Sequence, residues 1–392
     1  MSPDAPAGPV GLVGPVGVVG VVGASGVVGR AAAAALRERG VHRLRLGGRG
    51  RQALRAVADT LGPGAEPVGV DVCHRTELVE FCRGCQVVLN CTGPSYLVGD
   101  RVARAALAAG ADYVDVAGDV PVHRSLAGSD LVTAGRTVVL SAGMLPGLSG
   151  LVPRWLAERC PGSASRLTAW TGGLDECGRT VATDLLLSGD EAGTARYGQS
   201  LAAWRAGRVV TRVLRPAEDV ELPFFPGRVS THPFLSAEAE RLAGALGLSE
   251  LDWFTVFPGS HLRRVLGRLG ARVPSDAEAL AEASDQVVRA SRLDLAGRRP
   301  YYRLAFALDS DTHRRGAVVH VSDSYRLTAT VAVLALTAIA RGRVPPGLHY
   351  AAEVLDPTDT VDRLRRAGAV DAIEIVEPVD GADIQTVERG AL

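Results

Sequence analysis

The sequence predicts an α/β protein: an N-terminal Rossmann-type doubly wound parallel sheet, followed by a second α+β domain containing a mixed sheet. Three observations predict it. Strand-like and helix-like segments alternate at short spacing over residues 1–150, the rhythm of a parallel sheet with crossover helices. A glycine-rich loop joins the first apolar strand to the first helix. After Gly147 the alternation gives way to strands without regular intervening helices. At 392 residues the chain is longer than one core usually organises. The expected domains are 1–150, 151–326 and a C-terminal segment 327–392 that packs back on the first domain, with residues 1–9 a disordered tail.

The elements follow in order. Val16–Val22 is β-branched and uncharged, as a buried parallel strand should be. A helix is predicted over Arg30–Arg39, a short strand over Arg43–Leu46 and a helix over Gln52–Leu61. A strand near Pro67–Val70, a helix over Thr76–Cys82 and a strand over Gln86–Asn90 come next, then a helix over Arg101–Ala109 and strands over Tyr113–Val116 and Thr137–Ser141. In the second domain, strands are predicted near Arg166–Thr171, Arg208–Leu214, Val229–Thr231, Trp253–Phe257, Tyr301–Leu308 and Gly316–Val321, and helices over Arg263–Arg272 and Asp276–Ala290. Helical patterning returns at Leu327 and is broken at Pro345–Pro346.

The loop reads Gly23-Ala24-Ser25-Gly26-Val27-Val28-Gly29. Gly23 is expected to make the tight turn, Gly26 to let a pyrophosphate approach the backbone, and Gly29 to let helix and strand pack closely. The helix N-terminus, with Val27 in its first turn, offers N–H groups and a positive dipole end to phosphates, and Ser25 offers a hydroxyl. The spacing is GxxGxxG, so the strand–loop–helix context carries the reading more than the motif does. The cofactor is chosen at the end of the second strand, where the adenosine ribose would lie. An acid there suits the 2′-hydroxyl of NAD. This chain has Leu46-Gly47-Gly48-Arg49-Gly50-Arg51 instead. Arg49 and Arg51 suit a 2′-phosphate, so the expected cofactor is NADP(H). The plainer reading is two solvated arginines at a helix start.

Together these motifs resemble the saccharopine dehydrogenase-like reductase family. GASGVVG at 23–29, GGR at 47–49, NCTGP at 90–94, AALAAGADYVDVAGD at 105–119 and SAGMLPGLSG at 141–150 carry the resemblance. It weakens over HPFLSAEAERLA at 232–243 and VPPGLHYAAEVL at 344–355. The resemblance implies an oxidoreductase whose second domain covers the nicotinamide with a mixed sheet. Family members reduce C=N bonds of amino-acid derivatives, form polyamines, or reduce enoyl groups in polyketide lipids.

Asn90, Thr92, Gly93 and Pro94 follow the fourth strand, and Gly143, Met144, Pro146 and Gly147 follow the last, so all should line the cofactor cleft at the strand C-termini. Asp115, Gly118 and Asp119 lie around the end of the strand between them; for Asp119 the alternative is a helix cap. Candidate proton donors are Tyr96, Tyr113, His232 and His313, each of which taken alone fits a structural role as well. Arg179 is a candidate to hold a substrate carboxylate, against a solvated loop arginine. Cys82, Cys85, Cys91 and His74 invite a metal reading, but the thiols should diverge from the end of a helix and along a strand, so no metal site is expected.

Composition narrows the class. Formal net charge is zero, with 43 basic and 43 acidic residues, which argues against nucleic acid or a membrane surface as partner. The chain contains no lysine, which removes Schiff-base and P-loop lysine chemistry. The apolar run Leu327–Ala340 is too short to span a bilayer at about 14 residues. Six cysteines without a basic n-region lead to a cytoplasmic expectation with reduced thiols. The leading function is NADP(H)-dependent reduction of a C=N bond, imine or iminium, in a small amino-acid-derived substrate, with the second domain as the surface for a homodimer. The alternatives are an enoyl C=C reductase of lipid or polyketide metabolism and a non-catalytic NADP-binding sensor or scaffold.

Overall fold

A computed structural model describes residues 16–130, 135–188, 198–269 and 276–376. The expected tail at 1–9 and the end of the C-terminal segment lie outside the described residues. The chain divides into two compact units, with boundaries at Gly143/Met144, Leu327/Thr328 and Leu355/Asp356.

The first unit begins β1 (Val18–Val22), α1 (Val27–Glu38), β2 (Leu44–Gly48), α2 (Arg51–Leu61), β3 (Ala65–Gly69), α3 (Arg75–Cys82) and β4 (Cys85–Asn90). It continues with α4 (Ser95–Val98), α5 (Arg101–Ala108), β5 (Asp112–Asp115), α6 (Val120–Leu126) and β6 (Thr137–Leu140). The second unit supplies α7 (Leu148–Ala157), β7 (Ala164–Leu174), α8 (Arg179–Leu187), β8 (Gly198–Ser200), β9 (Ala203–Arg205), β10 (Arg208–Val210), β11 (Ala217–Glu221) and β12 (Arg228–Ser236). After these come α9 (Ala237–Leu246), β13 (Glu250–Phe257), α10 (Ser260–Leu269), α11 (Ala277–Leu295), β14 (Tyr301–Ser310), β15 (Arg314–Val321) and α12 (Ser324–Ala340). The remaining elements are β16 (Gly347–Tyr350), α13 (Ala351–Val354), α14 (Pro357–Arg366) and β17 (Ala372–Val376).

The first unit is a seven-stranded sheet, all parallel, in the order β16-β6-β5-β4-β1-β2-β3. This is the expected doubly wound fold. Helix α1 packs on it through Gly29, Ala32, Ala33 and Leu36, an i, i+3, i+4, i+7 stripe of mostly small residues. The helix begins at Val27, three positions before the predicted start, because Gly29 inside the first turn masks the pattern. A second apolar cluster under the sheet gathers Leu78, Phe81, Val102, Tyr113, Leu126 and Tyr350.

The second unit holds a mixed ten-stranded sheet, β10-β9-β13-β7-β14-β15-β17, with β12 paired to β13, β11 and β8. The β13–β7 pair is parallel; β14–β7, β14–β15 and β12–β13 are antiparallel. Helices α8, α10 and α11 bury their own cluster of Cys177, Ala182, Leu186, Val265, Val287 and Ala290.

Other boundaries also differ from the sequence reading, and the end of the helix expected over Arg263–Arg272 lies outside the described residues. The first unit ends at Gly143, and Arg208–Leu214 contributes only the short β10. The expected return of 327–392 to the parallel sheet is split. Gly347–Tyr350 does add to that sheet beside β6. Ala372–Val376 instead pairs with β15 in the mixed sheet, because its alternating Ala-Ile-Glu-Ile-Val pattern suits an edge strand. Among the described residues, no helix is long and apolar enough to cross a membrane.

Candidate functional site

The strand order reverses on either side of β1, which lies between β4 and β2. That crevice, outside the strand carboxyl ends, is where open α/β sheets bind ligands. The loop leaving β1 is pinned from both neighbours. The Gly23 and Ala24 N–H groups donate to the Gly47 carbonyl at 2.9 and 3.1 Å, and the Cys91 N–H donates to the Val22 carbonyl at 2.9 Å.

Two of the three loop glycines have a steric reason. Gly23 has φ +81°, and a Cβ on it would lie 2.7 Å from the Cys91 carbonyl oxygen. A Cβ on Gly29 would lie 2.2 Å from the Gly23 oxygen. Gly26 is different, since a Cβ there meets only that same oxygen, at 3.2 Å. Its side is open, and Gly26 and Val27 are exposed, with Val27 54% accessible. Helix α1 has neither a side-chain cap nor an acid in its first turn. Its leading N–H groups have no intrahelical partners by geometry, so an anion can complete the helix end.

Near the end of β2, Gly47 is required because a Cβ would lie 2.7 Å from the Phe81 ring. Arg49 and Arg51 follow on the surface, and neither guanidinium has a hydrogen-bond or ion-pair partner among the described residues. Arg51 starts α2 and leans on Gly69, while the charge of Arg49 reaches Asp71. The first turn of α2 contains no acid. Basic residues at a helix N-terminus oppose its dipole, and a bound phosphate would relieve that.

Beyond β4 lies a buried polar relay. Asn90 donates through its amide to Asp115 Oδ2 at 3.1 Å, and its Oδ1 accepts the Thr92 N–H at 3.0 Å and the Thr92 hydroxyl at 2.5 Å. Asp115, buried, also accepts the Tyr113 hydroxyl at 2.5 Å and the Ala117 N–H at 2.9 Å. Burial raises the Asp115 carboxyl above its ordinary value, and the hydrogen bonds from Tyr113, Ala117 and Asn90 pull it back. Burial beside that carboxylate pushes the Tyr113 hydroxyl well up. Tyr113 is therefore a fixed donor inside the sheet and is not presented to a ligand. Gly118, φ +58°, closes over Asp115, where a Cβ would lie 2.8 Å from the carboxyl group. Asn90, Thr92, Gly93 and Pro94 thus form one ordered turn, with Tyr96 half-buried in α4 just after it.

Asp119 occupies the N-cap position of α6 but makes no side-chain cap hydrogen bond, and its carboxylate is partly buried. Gly143 ends the first unit and Met144 opens the second. Gly147 takes φ +125° and is the N-cap of α7. Its N–H donates to Glu238 Oε1 at 2.7 Å, and the Ser149 hydroxyl donates to Glu238 Oε2. Glu238, only 4% exposed, is thus the carboxylate that caps α7 and fixes the Met144–Gly147 loop, with Pro146 inside it. Sequence reasoning missed Glu238 because 91 positions separate it from Gly147.

The remaining candidates have separate partners. Arg179 is not in a loop; it begins α8, and one of its nitrogens lies 2.5 Å from both oxygens of Asp285. A substrate carboxylate would have to displace Asp285. His232 lies on β12 with Nε2 2.6 Å from the Ser200 hydroxyl, and burial lowers its basicity. His313 is exposed in the β14–β15 turn, its Nδ1 2.8 Å from Thr312 Oγ1. Cys82 and Cys85 are buried; burial pushes the Cys82 thiol up to about 12, and the Cys85 thiol donates to the Phe81 carbonyl. Among the described residues, no group of His, Cys, Asp or Glu is placed to hold a metal ion.

A helix N-terminus open at the switch point of a parallel sheet, behind a loop in which Gly23 and Gly29 are sterically required, fits the class of dinucleotide-binding α/β proteins. Residues 19–132 match the family model of the saccharopine dehydrogenase NADP binding domain. Those residues are thus similar to a nicotinamide-cofactor domain, and the match is confined to the parallel-sheet part of the chain. The chain is similar in fold to apo saccharopine dehydrogenase (L-Glu forming) from Saccharomyces cerevisiae, with TM-score 0.62 and 14% identity, covering 92% of this chain and 100% of that one. A short chain dehydrogenase from Burkholderia cenocepacia in complex with NADP aligns over 32% of this chain and 70% of its own, with 19% identity and TM-score 0.27. No curated protein sequence matches the chain.

Proposed function

We propose that the chain is an NADP(H)-dependent reductase of a C=N bond, imine or iminium, in a small amino-acid-derived substrate. The observation that supports the cofactor preference is the end of β2, where Arg49 and Arg51 make no hydrogen bond or ion pair among the described residues and the segment 46–51 itself carries no acid. A guanidinium fork grips a phosphate bidentately, whereas a ribose hydroxyl calls for an acid. Bound here, the nicotinamide supplies a hydride at its C4 position.

The chain's own residues bind and orient. The Gly26–Gly29 turn of α1 receives the pyrophosphate, and Ser25 adds a hydroxyl. The Asp115–Asn90–Thr92 relay holds the turn through Pro94 at the nicotinamide side, and Glu238 holds the Met144–Gly147 loop. A C=N substrate fits what the chain lacks as well as what it has. Without lysine it forms no Schiff base of its own, so the imine arrives preformed or condenses from an amine and a carbonyl. An iminium already carries its proton, so hydride transfer needs position more than an acid. For a neutral imine, Tyr96, Asp119 and His232 are the candidate donors. The name of the yeast relative, an L-Glu-forming dehydrogenase, supports an amino-acid-derived substrate.

The test has two arms. Fluorescence titration of Arg49→Ala should show NADPH affinity reduced roughly ten-fold or more, with NADH affinity nearly unchanged. Equal losses, or native preference for NADH, refute the cofactor assignment. A panel of cyclic imines and amine–carbonyl mixtures with 4-deuterated NADPH should then show stereospecific label transfer. Turnover of an enoyl thioester alone would replace C=N with C=C chemistry.

A further inference from the structure

Helices α10 and α11 pack side by side and leave a groove of ≈ 690 Å³ along their outer faces. Its walls follow helical spacing, with positions 261, 264, 265 and 268 on one helix and 286, 289, 290 and 293 on the other, each an i, i+3, i+4, i+7 stripe. The floor is apolar. Val265 and Ala290 belong to the three-helix core, and Leu293 stands 59% exposed at the side.

The rim is cationic. Arg264, Arg268 and Arg289 line the groove, and none has a carboxylate partner among the described residues; Arg264 rests on the Ser260 hydroxyl at 2.7 Å. This contrasts with the neighbouring arginines of the same helices. Arg263 pairs with Glu218 and Arg292 with Glu176. On the same helix Asp285 is held by Arg179 and Asp276 caps the first turn, and among the described residues no acid lines the groove.

One further group is built for contact. Asp294, 8% exposed, accepts His261 Nδ1 at 2.9 Å and the backbone N–H groups of His261 and Leu262 at 3.0 and 2.8 Å. The imidazole of His261, itself a lining residue, gives its Nδ1–H to Asp294, which leaves Nε2 to accept the P–O–H of a monoanionic phosphate or, in the imidazolium, to donate to a dianion. Three guanidiniums and an oriented imidazole around an apolar floor match a doubly charged head on a hydrocarbon body.

We propose that this groove binds an aliphatic phosphate monoester. Its phosphate would be gripped by Arg264, Arg268, Arg289 and His261, and its chain would lie on Val265, Ala290 and Leu293. The site belongs to the second unit and does not depend on the dinucleotide loop. Isothermal titration of the full chain with n-hexyl phosphate, in saturating NADPH, should give one site per chain. Inorganic phosphate should bind at least ten-fold more weakly, because it leaves the apolar floor uncovered. The Arg268→Ala/Arg289→Ala double variant should lose at least ten-fold in affinity, while Arg263→Ala/Arg292→Ala, which removes two arginines outside the groove, keeps it. The absence of saturable binding to the wild-type chain overturns the proposal. So does binding that NADPH abolishes, that matches inorganic phosphate, or that survives the groove variant.

Discussion

Replacing Glu238 with alanine tests a buried long-range polar contact of the second unit. The carboxylate, 4% exposed, accepts the Gly147 N–H at 2.7 Å and the Ser149 hydroxyl at the start of α7. Hydrogen bonds to a charged acceptor are worth ~1.5–3 kcal/mol each, and a buried donor left without a partner costs ~1–3 kcal/mol. The dipole contribution at a helix N-terminus overlaps with these bonds and is not added again. Two donors are orphaned, so Glu238→Ala should cost about 3–5 kcal/mol. Glu238→Gln keeps the shape but offers one acceptor to two donors, and should cost about 1.5–3 kcal/mol. Urea unfolding supplies the stability, and hydrogen exchange of the 144–157 peptide supplies the location. Exchange there should accelerate in the alanine variant beyond the global change. A loss within about 0.5 kcal/mol of wild type, which is the range of an ordinary surface substitution, with unaltered exchange in that peptide, would refute the capping role.

Further outcomes follow from burial. Burial lowers the His232 pKa below its ordinary 6.5. The unfolded chain therefore takes up a proton near that value while the folded chain does not, so stability falls as pH drops from 6.5 toward the folded pKa. His232→Asn should lose less stability than wild type between pH 7.5 and 5.5, read from urea midpoints; parallel losses would refute the linkage. Of the six cysteines, Cys73 is exposed, Cys91 is part-buried with its thiol pushed up by burial, and Cys82, Cys85, Cys160 and Cys177 are buried. Native protein should show one thiol reacting rapidly with a disulfide reagent, and Cys73→Ser should abolish that phase. Rapid reaction of further thiols would contradict the packing around α3 and β4.

The parallel sheet was legible because its signals are local. Val18–Val22 is a short β-branched run, and the glycines beside it are spaced for a turn and a close helix. Small residues at 29, 32 and 33 also explain how the helix comes so near the sheet. Helix α7 was not legible. Its sequence, Leu-Ser-Gly-Leu-Val-Pro-Arg-Trp-Leu-Ala, is buried almost all round and contains Gly150 and Pro153, so it shows neither period nor propensity. Arg179 looked like a loop residue because Gly178 precedes it, yet that glycine is the N-cap of α8. Within the site, Gly23, Gly29 and the Asn90 turn could be read from spacing. Glu238 and the Asp115 relay could not, since each joins residues far apart in the chain. The α10–α11 groove escaped for a related reason: each stripe alone reads as a solvated helix face, and only packing sets the two opposite each other.

The placement of β16 has a consequence for how the chain is made. Its four residues close the parallel sheet against β6, yet they are translated some two hundred positions after it. Until then Thr137–Leu140, a fully buried strand in the finished sheet, has an open edge. Unpaired apolar edges are where nascent chains associate wrongly. Synthesis on the ribosome must therefore carry a half-closed nucleotide domain through the whole of the second unit. A fragment ending after Val321 should inherit that exposed edge permanently, and a covalent rearrangement that delivers β16 early, such as a circular permutation, should relieve it.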